Sequence, residues 1–279
     1  MDNSTSGSTT NTNEMGGIMN SESLVSKIAF LLLVIFLFVI TLQFGMSLLS
    51  WFFNNTGSPH LINGMVDAKQ TIVIPQAPSK TGSKTIYRSA NANGGIEFTW
   101  SVWIFINDLG APDGKYHHIF HKGNDTTDNV GLNFPNNAPG LYISPNTNEL
   151  TVIMNTYDVI NEEITIPDIP LNKWVNVMIR CRNKTIDIYV NGIVTKSVQL
   201  VGVPKQNYGD VFVAMNGGFD GYISNLWYYD SAIGSSKIQS IVKRGPNTTT
   251  STNSSMGQKN PNYLSLRWYF TGNSDMYNP

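Results

Sequence analysis

Residues Ile28 to Leu49 form a long apolar run with no charged side chain, and the rest of the chain has to be read around it. As a helix, about 22 residues cover roughly 33 Å, enough to cross the hydrocarbon core of a bilayer. Gln43 is its only strongly polar residue, and Trp51, Phe52 and Phe53 follow where an aromatic belt sits at headgroup level. A secretory signal has a shorter apolar stretch with a small-residue cleavage site beside it. This run is longer and ends in bulky rings, so the expectation is one retained transmembrane helix over 27–53. Lys27 is the only basic residue before the run, and Lys69 is the first after it. The positive-inside bias then puts the N-terminus in the cytoplasm and the C-terminal part on the extracytoplasmic side.

Beyond the anchor, about 225 residues remain, enough for one good-sized domain and its flanks. Net charge is -1, and the 18 Lys and Arg are scattered, so no basic patch offers itself to a nucleic-acid backbone. Cys181 is the single cysteine, which excludes an intrachain disulfide and a cysteine-based zinc site.

Residues 1–26 are rich in Ser, Thr, Asn and Gly, with too little apolar content to offset the entropy of ordering; they read as a disordered polar tail. Residues 54–84 read as a linker leading into a first strand at Gln70 to Ile74. From about 85 to 245, short alternating runs are bounded by Gly, Asn, Asp and Pro at intervals of about ten residues, the pattern of a β-sandwich. Residues 246–262 are a low-complexity Thr/Ser/Asn linker. Tyr263, Leu264, Leu266, Trp268 and Phe270 then suggest one more strand in 263–279.

The clearest local signal is a three-strand meander. From Trp174 to Cys181, Val175, Val177, Ile179 and Cys181 share one face, with Asn176, Met178 and Arg180 on the other. Asn183-Lys184 makes a turn, and Thr185 to Val190 alternates again. Asn191-Gly192 is the dipeptide that a two-residue type I′ hairpin favours, because both central residues need positive φ. Ile193 to Leu200 returns. Cys181 falls on the apolar face, as a small buried hydrophobe. One helix is expected after the anchor, Ser235 to Lys243, with serines able to cap it.

Three blocks carry a family resemblance: FTWSVWIFIND at 98–108 followed by HHIFHKG at 117–123, PLNKWVNVMIRCRNKTIDIYVNG at 170–192, and FDGYISNLWYYDSAI at 219–233. In this order and spacing they resemble a laminin-G-like domain of the concanavalin A-like lectin/glucanase superfamily, of the pentraxin or laminin G type. The resemblance implies an all-β fold, a jelly-roll of two antiparallel sheets. Relatives include lectins and glycoside hydrolases, so the fold does not choose the function.

A retaining glycosidase needs two carboxylates about 5 Å apart. The resemblance places them at alternate positions of one strand, where period two aims both into one cleft. No two acids in this chain stand at i and i+2. Glu162 and Glu163 are adjacent, face opposite ways on a strand, and read as solvated edge charges. His117, His118 and His121 cluster, but neighbours on a strand diverge, so they read as structural or surface histidines. The resemblance also allows calcium in rim loops, for which Asp125 and Asp128 are weak candidates. Asp220 reads as a turn residue. Trp100, Trp103, Trp174, Trp227 and Trp268 read as core, while Tyr142, Tyr157, Tyr228 and Tyr229 are candidates for exposed sugar platforms.

The chain therefore reads as a membrane-anchored recognition or assembly protein without catalysis or a required cofactor. Its expected partners are the lipid bilayer and a glycan or protein, not nucleic acid. Anchor, low charge and Asn/Thr-rich tails also resemble structural proteins of large double-stranded DNA viruses, which would place it in a virion membrane. The alternative is a membrane-tethered hydrolase of the β-glucanase type.

Overall fold

The computed structural model describes residues 24–53, 57–89, 91–93 and 95–250. They fall into two units divided after Thr56. The first contains helix α1, Leu24–Phe53, whose 30 residues extend about 45 Å at 1.5 Å per residue. Its Val25–Leu49 stretch is long and apolar enough to cross a membrane. Leu, Ile, Val and Phe side chains are exposed on every side of it, from Val25 to Leu49. A helix that is apolar all round needs a non-aqueous neighbour.

The second unit is a sandwich of two antiparallel sheets, as the resemblance implies. One sheet contains β1 (His60–Asp67), β4 (Gly95–Asp108), β9 (Trp174–Arg182), β10 (Thr185–Val190), β11 (Ile193–Gln199) and β13 (Asp220–Tyr229), in the order β1-β13-β4-β9-β10-β11. The two-residue β3 (Asn91–Ala92) pairs with the start of β4. The other sheet contains β2 (Ile72–Ile74), β5 (His117–Gly123), β6 (Gly140–Ile143), β7 (Glu149–Met154), β8 (Glu162–Pro167) and β12 (Asp210–Val213), in the order β2-β12-β5-β6-β7-β8.

Between the sheets lies one continuous core. Phe98, Trp100 and Ile104 of β4 and Val175 and Val177 of β9 meet Leu141 and Val152 from the opposite sheet. Alternation along each strand sends every second side chain into this layer. The β9–β10–β11 meander has the expected pairing, Ile186 against Cys181 and Val190 against Ile193. Asn191 and Gly192 have φ of 49° and 80°, the two positive values that the turn requires. Cys181 is fully buried and its thiol is pushed up to about 12, chiefly by desolvation.

Several expectations need correction. Strand β1 runs through residues read as linker and pairs with β13. Gly64, at φ 94°, sits in a register shift that breaks the alternation, which is why the strand is hard to see in the sequence. The first residues of the 246–262 stretch are tied down too: the Met65 N–H donates to the Thr249 carbonyl at 2.8 Å. The face of β9 that carries Asn176 and Met178 is covered as well. Helix α2, Ser235–Arg244, lays Ile238 on Met178 together with Ile233, and Asn176 is fully buried, donating to Ser101 Oγ and the Val102 carbonyl. The serines do not cap α2; Gly234 occupies that position. Residues 1–23 of the polar tail and the 263–270 strand candidate lie outside the described residues.

Candidate binding cavity

The sheets diverge where β4 begins and β5 ends, and leave a cavity of about 620 Å³. That volume is in the range of small-molecule sites, roughly 300–1,000 Å³. Phe98, Trp100 and Tyr228 form its buried floor. Trp100 is fixed there by edge contact with Tyr228, centroids 5.2 Å apart, and by stacking on Phe120. Tyr87, Tyr157 and Tyr208 line the rim, with exposures of 47%, 69% and 90%. Amides of Asn93, Asn183, Gln206 and Asn207 face the same space.

The 203–208 segment is held to β5 by Asn207, whose Nδ2 donates to the Lys122 carbonyl at 2.9 Å, while its Oδ1 accepts from the Gly209 N–H. Glu162 anchors the preceding loop, accepting from the N–H groups of Val201 and Gly202 and from Thr156 Oγ1. Lys122 brings a cation to the cavity wall although the residue is 6% exposed. Its Nζ donates to the Gly209 carbonyl at 2.7 Å, and burial lowers its pKa to about 8. Gln206 Oε1 is buried without a partner among the described residues.

On the opposite face of the same sheet, loop 124–137 forms a roof. His118 and His121 lie beneath it, joined Nε2 to Nδ1 at 2.6 Å. The ends of this relay fix its tautomers. The Met215 N–H donates to His118 Nδ1, so His118 Nε2 carries a proton and donates to His121 Nδ1. His121 Nε2–H then donates to the Asn124 carbonyl. Both rings are neutral, and desolvation lowers both pKa values, that of His121 to about 4. Tyr142 joins the roof to the sheet, donating to Asn137 Oδ1 at 2.7 Å and accepting from the Asn133 N–H. His117 stands apart, half-buried, 3.7 Å from Asp113. The cluster expected from sequence is thus split: two members are structural and one faces an acid.

The calcium candidates sit at the start of this roof. Asp128 accepts from the N–H groups of Val130 and Leu132, so one oxygen closes its own loop. Among the described residues, no group of three His, Cys, Asp or Glu side chains is placed to share a metal. Asp220 does more than turn the chain: it receives Asn107 Nδ2 and pairs with Lys69 at 3.1 Å.

A family model described as the concanavalin A-like lectin/glucanases superfamily, of laminin G type, matches residues 78–239, more than half of the chain. The chain belongs to that superfamily. Among solved structures, the chain is similar to the botulinum neurotoxin serotype G binding domain, at 12% identity and a TM-score of 0.46, over 64% of this chain and 46% of that one. It is also similar to the binding domain of botulinum neurotoxin DC, solved in complex with rat synaptotagmin II, at 14% identity and a TM-score of 0.41, over 53% of this chain and 36% of that one. This chain thus spans less than half the length of either. No curated protein matches.

Within this concanavalin A-like fold, the carboxylates of β8 diverge as expected. Glu163 is exposed, while Glu162 lies at the loop end, tied to three donors. Glu162 is therefore not a solvated edge charge. Of the tryptophans, Trp100 and Trp103 are buried, but Trp174 and Trp227 are half-buried on the outer face, Trp227 stacked between His60 and Tyr229. Trp268 lies outside the described residues. Of the candidate platforms, Tyr157 is exposed at the cavity rim, whereas Tyr142 and Tyr228 are buried and Tyr229 is half-buried. Sequence reasoning missed Arg88, Lys122, Tyr87, Tyr208 and Gln206. The one available signal was a lysine inside the apolar IFHKG run of β5, where a charge needs a reason.

Proposed function

We propose that this protein is a membrane-anchored recognition module in which the concanavalin A-like domain binds a glycan, or the glycan-bearing surface of a protein partner, without catalysis. The observation that carries the reading is the cavity between the sheets. Aromatic rings, amides and a buried cation converge on it, and no carboxylate lines it among the described residues. Rings offer apolar surface to the C–H faces of sugars, and amides supply paired donors and acceptors for hydroxyls. A retaining hydrolase would need two acids facing one cleft. Helix α1 is the anchor in this reading, with the domain on the extracytoplasmic side. Recovery from purified particles would assign the membrane to a virion, and recovery on intact cells to a cell surface.

The test uses the full chain in detergent or nanodiscs. A glycan array is expected to show binding that falls in Tyr157→Ala, while a β-glucan panel yields no new reducing ends. Turnover of a β-glucan that is lost in Glu163→Gln would refute the non-catalytic reading. The anchor is tested separately: the full chain should resist carbonate extraction and the chain lacking 1–53 should not. Retention of the shortened chain would remove the single-anchor reading.

A further inference from the structure

The polar groups of the cavity differ in sign from the protein as a whole. The chain carries 18 basic and 19 acidic side chains, yet both ionised residues among the described lining, Arg88 and Lys122, are cations. The nearby acids make their contacts elsewhere; the Asp210 charge acts on Lys122 only from a distance, and burial outweighs it. Asp210 accepts from the Gln76 N–H and lies 3.5 Å from Lys80. Glu97 accepts from the Ala232 N–H and lies 3.8 Å from Arg182, and Glu162 holds the 201–202 loop. Neither cavity cation has an ion-pair partner within 4 Å among the described residues.

Lys122 is the stronger of the two observations. A buried ammonium has three protons to place, and a single carbonyl, that of Gly209, receives it among the described residues. Leaving a charge so poorly matched inside a protein is costly unless an anion completes its shell. Arg88, itself exposed, lines the same cavity, with a planar fork suited to a two-oxygen acid. Around these cations stand the rim rings Tyr157 and Tyr208 and the amides of Gln206 and Asn207. An inorganic anion would use the cations and leave the rings and amides idle. A neutral sugar would use the rings and leave Lys122 unmatched.

We propose that the cavity binds a saccharide bearing an acidic group, a carboxylate or a sulfate, with the acid at Lys122 and Arg88 and the sugar faces against Tyr157 and Tyr208. This rests on the recognition reading above and adds the charge class of the ligand. The shared chemistry is a planar or tetrahedral oxyanion on a ring with apolar C–H faces. Uronic-type and sulfated sugars are its two sources.

The experiment titrates the full chain in nanodiscs with three probes of equal length: oligogalacturonate, a sulfated oligodextran and a neutral maltooligosaccharide. Trp100 lies in the floor, so tryptophan fluorescence reports occupancy alongside calorimetry. One acidic probe is expected to bind at least about tenfold more tightly than the neutral one, and added salt to weaken it. Arg88→Gln should remove about tenfold of that affinity, and Tyr208→Ala should weaken binding of both acidic and neutral probes. Both side chains are exposed, so these variants should keep the parent melting temperature. The carboxylated and sulfated arms tell which oxyanion the cations prefer. Binding that favours the neutral sugar, or is unchanged in Arg88→Gln, overturns the acidic-ligand inference and leaves the recognition reading standing. Absence of binding to all three overturns the inference as well, and the glycan array then decides the broader reading.

Discussion

His121 and Lys122 are neighbours on β5 and point to opposite faces of the same sheet. Both are buried, yet their surroundings differ in kind. His121 enters a relay whose donors and acceptors run without a gap from the Met215 N–H to the Asn124 carbonyl. It also stacks on Phe212 at 5.0 Å. Lys122 faces an open cavity and has one carbonyl for its ammonium among the described residues. The first arrangement holds the roof to the sheet and leaves no valence for a ligand. The second leaves hydrogen-bonding capacity unused beside the cavity among the described residues. Burial of a polar group alone does not mark a site; the distinguishing feature is whether its bonds are completed inside the protein.

Removing the ring that joins roof to sheet should have the largest effect. Tyr142→Ala deletes a fully buried side chain and strands Asn137 Oδ1 and the Asn133 N–H, at a cost of about 3–5 kcal/mol. Chemical unfolding of the full chain measures this. A loss under about 1 kcal/mol would mean that the roof contributes little and that the contrast between the two faces is misplaced.

Acid should reach the roof before it reaches the cavity. The unfolded histidine value is about 6.5, and His121 is held at about 4 in the fold, with His118 well below its ordinary value. The unfolded chain therefore binds more protons below pH 6.5. The histidine contribution is fully present above that pH and is lost as pH falls toward 4. His60 adds to the slope, lowered to about 4 by burial and by nearby Lys84. The melting temperature should decline between pH 6.5 and 5, before ordinary carboxylates titrate; a flat profile there would contradict the neutral relay.

The smallest effect is expected at the start of the roof. Asp128→Asn keeps an oxygen for the Val130 and Leu132 N–H groups, so with Asp125→Asn it should cost under about 1 kcal/mol. EDTA should leave the melting temperature unchanged. A fall with EDTA that the double variant abolishes would assign calcium to this loop and make the roof a ligand site after all.

What could be read along the chain was local. The apolar run of α1, the Asn191-Gly192 turn and the alternation that buries Val175, Val177 and Cys181 each follow from neighbours a few residues apart, because strand and helix periods are properties of a single segment. Placement of β1 was not legible, since Gly64 breaks its alternation and its partner β13 lies some 160 residues further along the chain. Nor was the burial of Met178, which depends on α2 arriving across that face. The candidate site was the least legible part. Arg88, Lys122, Tyr157 and Tyr208 come from four separate segments, and no motif spans them. Sequence alone determined the all-β sandwich, the apolar helix and the absence of paired carboxylates at strand spacing. Only the tertiary structure decided that the histidines close on themselves while Lys122 does not, because satisfaction of a buried polar group depends on partners brought from distant strands and loops.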